Sequence, residues 1–95
     1  MRVIVRYFAY IRDLVRNTRE ETVELSDNAT LEDLLVILSN KYGKRFWEYV
    51  IEERENRKVI KEHVVILING KSTENLEMKL KDGDSIALMP FLGGG

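Results

Sequence analysis

Residues 80–95 read LKDGDSIALMPFLGGG. Asp82-Gly83 is a turn dipeptide, because aspartate bonds its own backbone and glycine enters the left-handed region without a Cβ penalty. SIALM, residues 85–89, is short and apolar, and Pro90 follows it; since proline cannot donate to a ladder, the run reads as a last strand that ends there. Gly93-Gly94-Gly95 then form a segment with nothing to pack and no preferred conformation. The stretch is thus a strand leading into a flexible tail, which divides the chain into a domain over 1–90 and a tail over 91–95. The remaining residues must supply the strand with its sheet.

Working outward, VVILIN (64–69) is apolar on both faces, the pattern of a central strand covered on both sides, and Asn69-Gly70 closes it with a tight turn. Leu76, Met78 and Leu80 alternate with Glu77 and Lys79. At the other end of the chain, RVIVRYFA (2–9) alternates, with Val3, Val5 and Tyr7 on the core side. REETVEL (19–25) alternates in turn with Glu21, Val23 and Leu25 on one side, so the two runs pair as an antiparallel hairpin. The connection YIRDLVR (10–16) has the helical spacing Ile11, Leu14, Val15. Thr30, with Asp33 three residues on, is an N-cap, and Leu31, Leu34, Leu35, Leu38 and Tyr42 share one helical face that stops at Gly43. Residues 44–61 are read as a short helix with Phe46, Trp47 and Val50 inward, followed by a charged surface excursion. The order hairpin, helix, strand, short elements, strand predicts an α+β domain, a mixed sheet packed on one main helix. Val65, Leu67 and Ile86 are expected in its core beside Leu34 and Leu35.

Composition removes most chemistry. The 95 residues are 44% hydrophobic and 33% charged, which suits one globular domain. Fifteen basic against sixteen acidic residues give a net charge of −1, without the basic footprint that nucleic acid or an anionic membrane requires. Cysteine is absent and His63 is the single histidine, which argues against disulfides, thiolate catalysis, Cys/His metal sites and a serine–histidine triad. The longest apolar run, Val64–Ile68, is far below the ~20 residues of a membrane span. Arg6 and Arg12 interrupt the region where a signal peptide would be apolar, so a cytoplasmic location is expected.

The tail is what remains. Glycines without Cβ can thread a narrow channel and deliver the Gly95 carboxylate to a site in another protein, and such a carboxylate needs no help from its own chain if the partner activates it as an acyl-adenylate. Met89, Phe91 and Leu92 beside it have no core to enter, so they read as a docking patch.

FAYIRDL (8–14), ILING (66–70) and above all residues 80–95 resemble the MoaD family, the small sulfur-carrying subunit of molybdopterin synthase, whose members have the ubiquitin-like β-grasp fold. Members typically end in Pro-Pro, a small aliphatic residue, a small residue and Gly-Gly after a DGD-containing turn. Asp82-Gly83-Asp84 and Pro90 match this pattern, Phe91 replaces the second proline, Leu92 takes the aliphatic place, Gly93 replaces serine or alanine, and Gly94-Gly95 close the motif. The resemblance implies that a ubiquitin-activating-type adenylyltransferase uses ATP to adenylate the Gly95 carboxylate and that sulfur then replaces AMP to give a thiocarboxylate. Met89, Pro90, Phe91, Leu92, Gly93 and Gly94 would meet the partners, which are that enzyme and the large synthase subunit, where sulfur goes to a pterin precursor of the molybdenum or tungsten cofactor. On this view the chain binds no cofactor or metal and is not catalytic alone, but is the sulfur-donating subunit of a sulfurtransferase complex.

The other conspicuous residues have plainer readings. His63 is structural or exposed, Trp47 belongs to a satellite core with Phe46 and Val50, Asp82 and Asp84 belong to a turn, and Glu53 with Arg57 at i, i+4 sits in a solvated helix end or loop. Three functions stay open: a sulfur carrier for molybdopterin or for another pathway (thiazole, tRNA thiolation), a ubiquitin-like modifier joined to lysines through Gly95, and an interaction module using only the apolar patch.

Overall fold

The computed structural model describes residues 1–91. Its elements run β1 (Arg2–Tyr7), α1 (Tyr10–Leu14), β2 (Glu20–Glu24), α2 (Leu31–Tyr42), α3 (Lys44–Val50), β3 (Ile51–Arg54), β4 (Arg57–Ile60), β5 (Val64–Ile68), β6 (Lys71–Ser72) and β7 (Ser85–Pro90). Five strands form one mixed sheet in the order β2-β1-β7-β5-β6, with β7 parallel to β1 and antiparallel to β5. Helix α2 lies across one face of this sheet, giving the mixed sheet on one main helix that the sequence pattern predicts and the β-grasp arrangement that the family resemblance implies.

The N-terminal hairpin forms in the expected register, Val3 opposite Val23 and Val5 opposite Glu21. Val3, Val5 and Tyr7 are completely buried, as strict alternation requires. Helix α2 begins with a full capping box: the Thr30 Oγ1 accepts the Asp33 N–H at 3.2 Å and the Asp33 carboxylate accepts the Thr30 N–H at 2.9 Å. Its Leu31, Leu34, Leu35 and Leu38 are buried beneath Val3, Val5, Ile66, Ile86 and Leu88. Gly43 follows at φ 109°, a conformation that a side chain would strain, and lets the chain turn directly into α3.

Several expectations need correction. Residues 51–60 are not a shapeless excursion but a second, two-stranded hairpin, β3–β4, with Glu53 opposite Lys58. Glu55 and Asn56 at its tip both have positive φ (41° and 69°), the primed turn that matches strand twist, achieved here without the Asn-Gly signal. Glu53 and Arg57 are therefore on opposite strands, not one helical turn apart. Residues 76–80 alternate as read, yet add no strand to the main sheet, forming only an isolated Thr30–Lys79 bridge. They run past the start of α2, where the Met78 and Leu76 carbonyls accept the Leu31 and Glu32 N–H groups, two of the donors that a helix start leaves unpaired.

The largest correction concerns β5. The middle of the sheet belongs to β7, and β5 is covered on one face only, so Val64, Ile66 and Ile68 are buried while Val65 and Leu67 stay half-exposed. Strand β7 also runs one residue further than expected, through Pro90 opposite Val64. Ladder alternation aims the missing Pro90 N–H at the Phe8 carbonyl, which already accepts the Ile11 N–H of α1 at 3.2 Å, so the proline forfeits no bond.

One polar cluster ties the sheet edge to the helix. The Glu21 carboxylate accepts the Tyr7 and Tyr42 hydroxyls at 2.6 and 2.5 Å on one oxygen and the Lys41 ammonium at 2.5 Å on the other. Burial pushes the Glu21 carboxyl up, but the hydrogen bonds from Lys41, Tyr42 and Tyr7 outweigh it and hold the group below the usual range. Burial, reinforced by Glu21, drives the Tyr7 phenol far up, so it serves as a neutral donor. Asp82 and Asp84 are turn residues, with Asp82 Oδ1 accepting the Arg2 N–H at 2.8 Å and Asp84 Oδ1 accepting Asn69 Nδ2 at 2.8 Å.

Leu34→Ala or Leu35→Ala is expected to lower unfolding free energy by about 2–5 kcal/mol, whereas Val65→Ala, on the uncovered face, should lower it by less than about 1.5 kcal/mol; urea denaturation measures both. Because its folded-state value is depressed, Glu21 contributes stability that is present above the ordinary glutamate value of 4.5 and lost as pH falls through the lower folded value. Glu21→Gln should thus lose about 1–3 kcal/mol at neutral pH, with the gap to wild type narrowing as pH falls below 4.5.

Candidate functional site

The uncovered face of the sheet is not uniform. Towards β2 it carries ion pairs, Arg2 with Glu24 at 3.0 Å and Arg6 with Glu20 at 2.9 Å, all well exposed. Such pairs keep that half solvated and contribute little stability. Towards β5 it turns apolar. Phe8, Ala9, Val65, Met89 and Pro90 line a groove of about 270 Å³ with almost no polar surface. Phe91, one residue beyond, is 59% exposed and is the most exposed large apolar side chain among the described residues.

Each lining residue is there for a local reason. Outward positions of neighbouring strands line up across a sheet, so Val65 of β5 faces the same way as its partner Met89 of β7. Phe8 follows β1 and donates its N–H to the Leu88 carbonyl at 3.0 Å, which brings its ring beside Met89. Ala9 turns the chain into α1 at φ 53°, an uncommon conformation for a residue with Cβ, and its small side chain leaves the groove open.

The structure therefore brings together three of the residues assigned to partner binding from sequence: Met89, Pro90 and Phe91. Leu92, Gly93, Gly94 and Gly95 lie outside the described residues. Sequence reading missed Phe8, Ala9 and Val65 as part of the patch. A signal was present in VVILI, whose second apolar face was assigned to cover from its own chain; instead the body leaves that face bare.

Beside the groove runs an aromatic series. The Tyr10 and Tyr49 rings lie 5.1 Å apart between centroids, and Tyr49 and His63 lie 4.4 Å apart edge to face. His63 is exposed, as read, and its Nε2 donates to the Tyr49 carbonyl at 2.8 Å. Trp47 is half-buried against the core with Lys58 above its ring, as a satellite position should be. Among the described residues no three His, Cys, Asp or Glu side chains are placed to hold a metal ion, and no helix is long and apolar enough to cross a membrane. A larger groove of about 470 Å³, between α1 and the α2–α3 junction, is lined by charges of both signs, including Asp13, Arg16, Lys44 and Glu48. Its lining mixes these charges with Leu14 and Tyr42 and lacks the uniformly apolar character of the first groove.

Chemically, the lining of this apolar groove along β5 and β7 offers no acid, base or nucleophile.

The chain is 30% identical over 95 residues to the molybdopterin synthase sulfur carrier subunit of Drosophila yakuba, covering 98% of this chain and 90% of that one. Among solved structures it is similar to the small archaeal modifier protein 1 of Methanosarcina acetivorans, with 31% identity, a TM-score of 0.75, and 99% and 96% of the two chains covered. It is also similar to a chain in the complex of subunits 1 and 2 of the molybdopterin-converting factor from Helicobacter pylori, with 29% identity, a TM-score of 0.64, and both chains covered fully. The model of the ThiS family matches residues 5–95, body and tail together, and the chain belongs to that family.

Proposed function

We propose that this protein is a sulfur carrier for molybdopterin synthesis, acting through the carboxylate of Gly95. The observation that carries the reading is the apolar end of β7: Met89 and Pro90 line the groove, Phe91 beside them is exposed, and Leu92-Gly93-Gly94-Gly95 follow in the sequence. Similarity over the full length to a molybdopterin synthase sulfur carrier subunit supports it.

On this reading the Gly95 carboxylate oxygen attacks the α-phosphate of ATP on an activating enzyme, and pyrophosphate leaves. A sulfur nucleophile then attacks the acyl carbon and expels AMP, leaving a thiocarboxylate. The apolar patch docks on the large synthase subunit, the glycines enter its channel, and the thiocarboxylate sulfur attacks the pterin precursor. The body holds the tail at a high effective concentration and in one approach direction, so it needs no catalytic group of its own. Water then hydrolyses the thioester so formed, which leaves the sulfur on the pterin and returns the polypeptide with a carboxylate, ready for another cycle in the cytoplasm.

A second reading, a modifier that passes Gly95 to lysine amines, is favoured by the likeness to the archaeal modifier of Methanosarcina acetivorans. Both readings require activation of the same carboxylate.

Pyrophosphate exchange with the cognate activating enzyme tests that shared step. Deleting Gly95, or adding one residue after it, is expected to abolish exchange while circular dichroism stays native. One residue changes reach by up to ~3.3–3.6 Å, and a ~1 Å error in placing reacting atoms can reduce rate about 10²-fold. Phe91→Glu in the same assay should raise KM, because it brings a charge into a surface that must lose water. Wild-type exchange by the shortened and extended chains would leave only an interaction module.

A further inference from the structure

We propose that His63 is a positioning residue that fixes the point at which the sheet releases the tail. Its kinetic consequence rests on the carrier reading above, whereas its structural part does not.

The segment 61–63 joins two things that would otherwise be independent. On one side it closes the C-terminal end of α3: the Lys61 N–H donates to the Val50 carbonyl at 2.9 Å, the Lys61 Nζ donates to the Glu48 carbonyl, and the His63 Nε2 donates to the Tyr49 carbonyl at 2.8 Å. These are carbonyls that a helix end leaves without partners. On the other side the His63 carbonyl accepts the Phe91 N–H at 2.6 Å, one step beyond β7. The imidazole packs edge to face on Tyr49 of α3, whose ring in turn packs on Tyr10 of α1.

That single Phe91 bond matters because of its neighbour. Pro90 has no N–H, and alternation along the antiparallel ladder puts the next bonded pair at Val65 and Met89. Losing the Phe91–His63 bond therefore frees two residues at once, about 7 Å of extended chain. The sequence has four residues beyond Phe91, at most about 14 Å when fully extended, so the change is half of that length. The strand's other edge offers no substitute, because β1 ends at Tyr7 and the chain has turned into α1. The side chain of His63 thus acts on the tail indirectly, by holding the backbone whose carbonyl anchors Phe91.

The test uses the full-length protein and two measurements: amide hydrogen exchange by NMR, and steady-state pyrophosphate exchange with the activating enzyme. In His63→Ala the Phe91 amide should exchange about five- to tenfold faster, as expected for an ordinary hydrogen bond weakened, while the Ile86 and Leu88 amides keep wild-type protection. The kcat for activation should fall severalfold and KM should rise, since the freed Pro90 and Phe91 belong to the docking patch. His63→Gln, which keeps an N–H donor, should restore both. Unchanged Phe91 exchange in His63→Ala, or a glutamine variant as impaired as the alanine one, would overturn the proposal. If the wild-type protein is not activated at all, the carrier reading fails, and the Phe91 amide alone decides the role of His63.

Discussion

Strand β7 is bonded along both edges, parallel to β1 and antiparallel to β5, and the rest of the molecule depends on that double pairing. It joins the N-terminal hairpin to the later half of the sheet. Ile86 and Leu88, fully buried on its inner face, meet the leucines of α2. Its outer residues, Ala87 and Met89, remain on a face that the chain does not cover. One strand thereby closes the core, presents an apolar surface, and hands the chain on to the segment that ends at Gly95.

Much of this was legible in the residues because the deciding signals are local. Strict alternation in RVIVRY and EETVEL sets the hairpin register, and a leucine face bounded by Thr30-Asp33 and Gly43 sets α2. What escaped was settled by distant contacts or by rarer turn chemistry. The β3–β4 hairpin has a Glu-Asn tip where the sequence signal would be Asn-Gly, and its strands are charged, so nothing marked them as paired. The alternating run 76–80 resembles a strand, but its carbonyls are taken by the first turn of α2, a fact of tertiary position.

The misreading of β5 bears on function. A strand that is apolar on both faces signals double cover, and that inference treats the chain as its own only source of cover. On the carrier reading, Val65 is half-exposed because the missing layer belongs to another molecule. The same logic applies to Met89 and Phe91. On that reading the patch and the tail would be two parts of one device, apolar contact supplying affinity and orientation and the glycines supplying narrow reach.

The measurement that bears most directly on the carrier function is the intact mass of the protein purified from its own cells together with a search for its terminal residues on lysines of other proteins. A sulfur carrier predicts a population in which one oxygen of the Gly95 carboxylate is replaced by sulfur, converted to the carboxylate on mixing with the large synthase subunit and its pterin substrate. An unmodified mass throughout, with Gly95 found in isopeptide linkage to lysine, would contradict it.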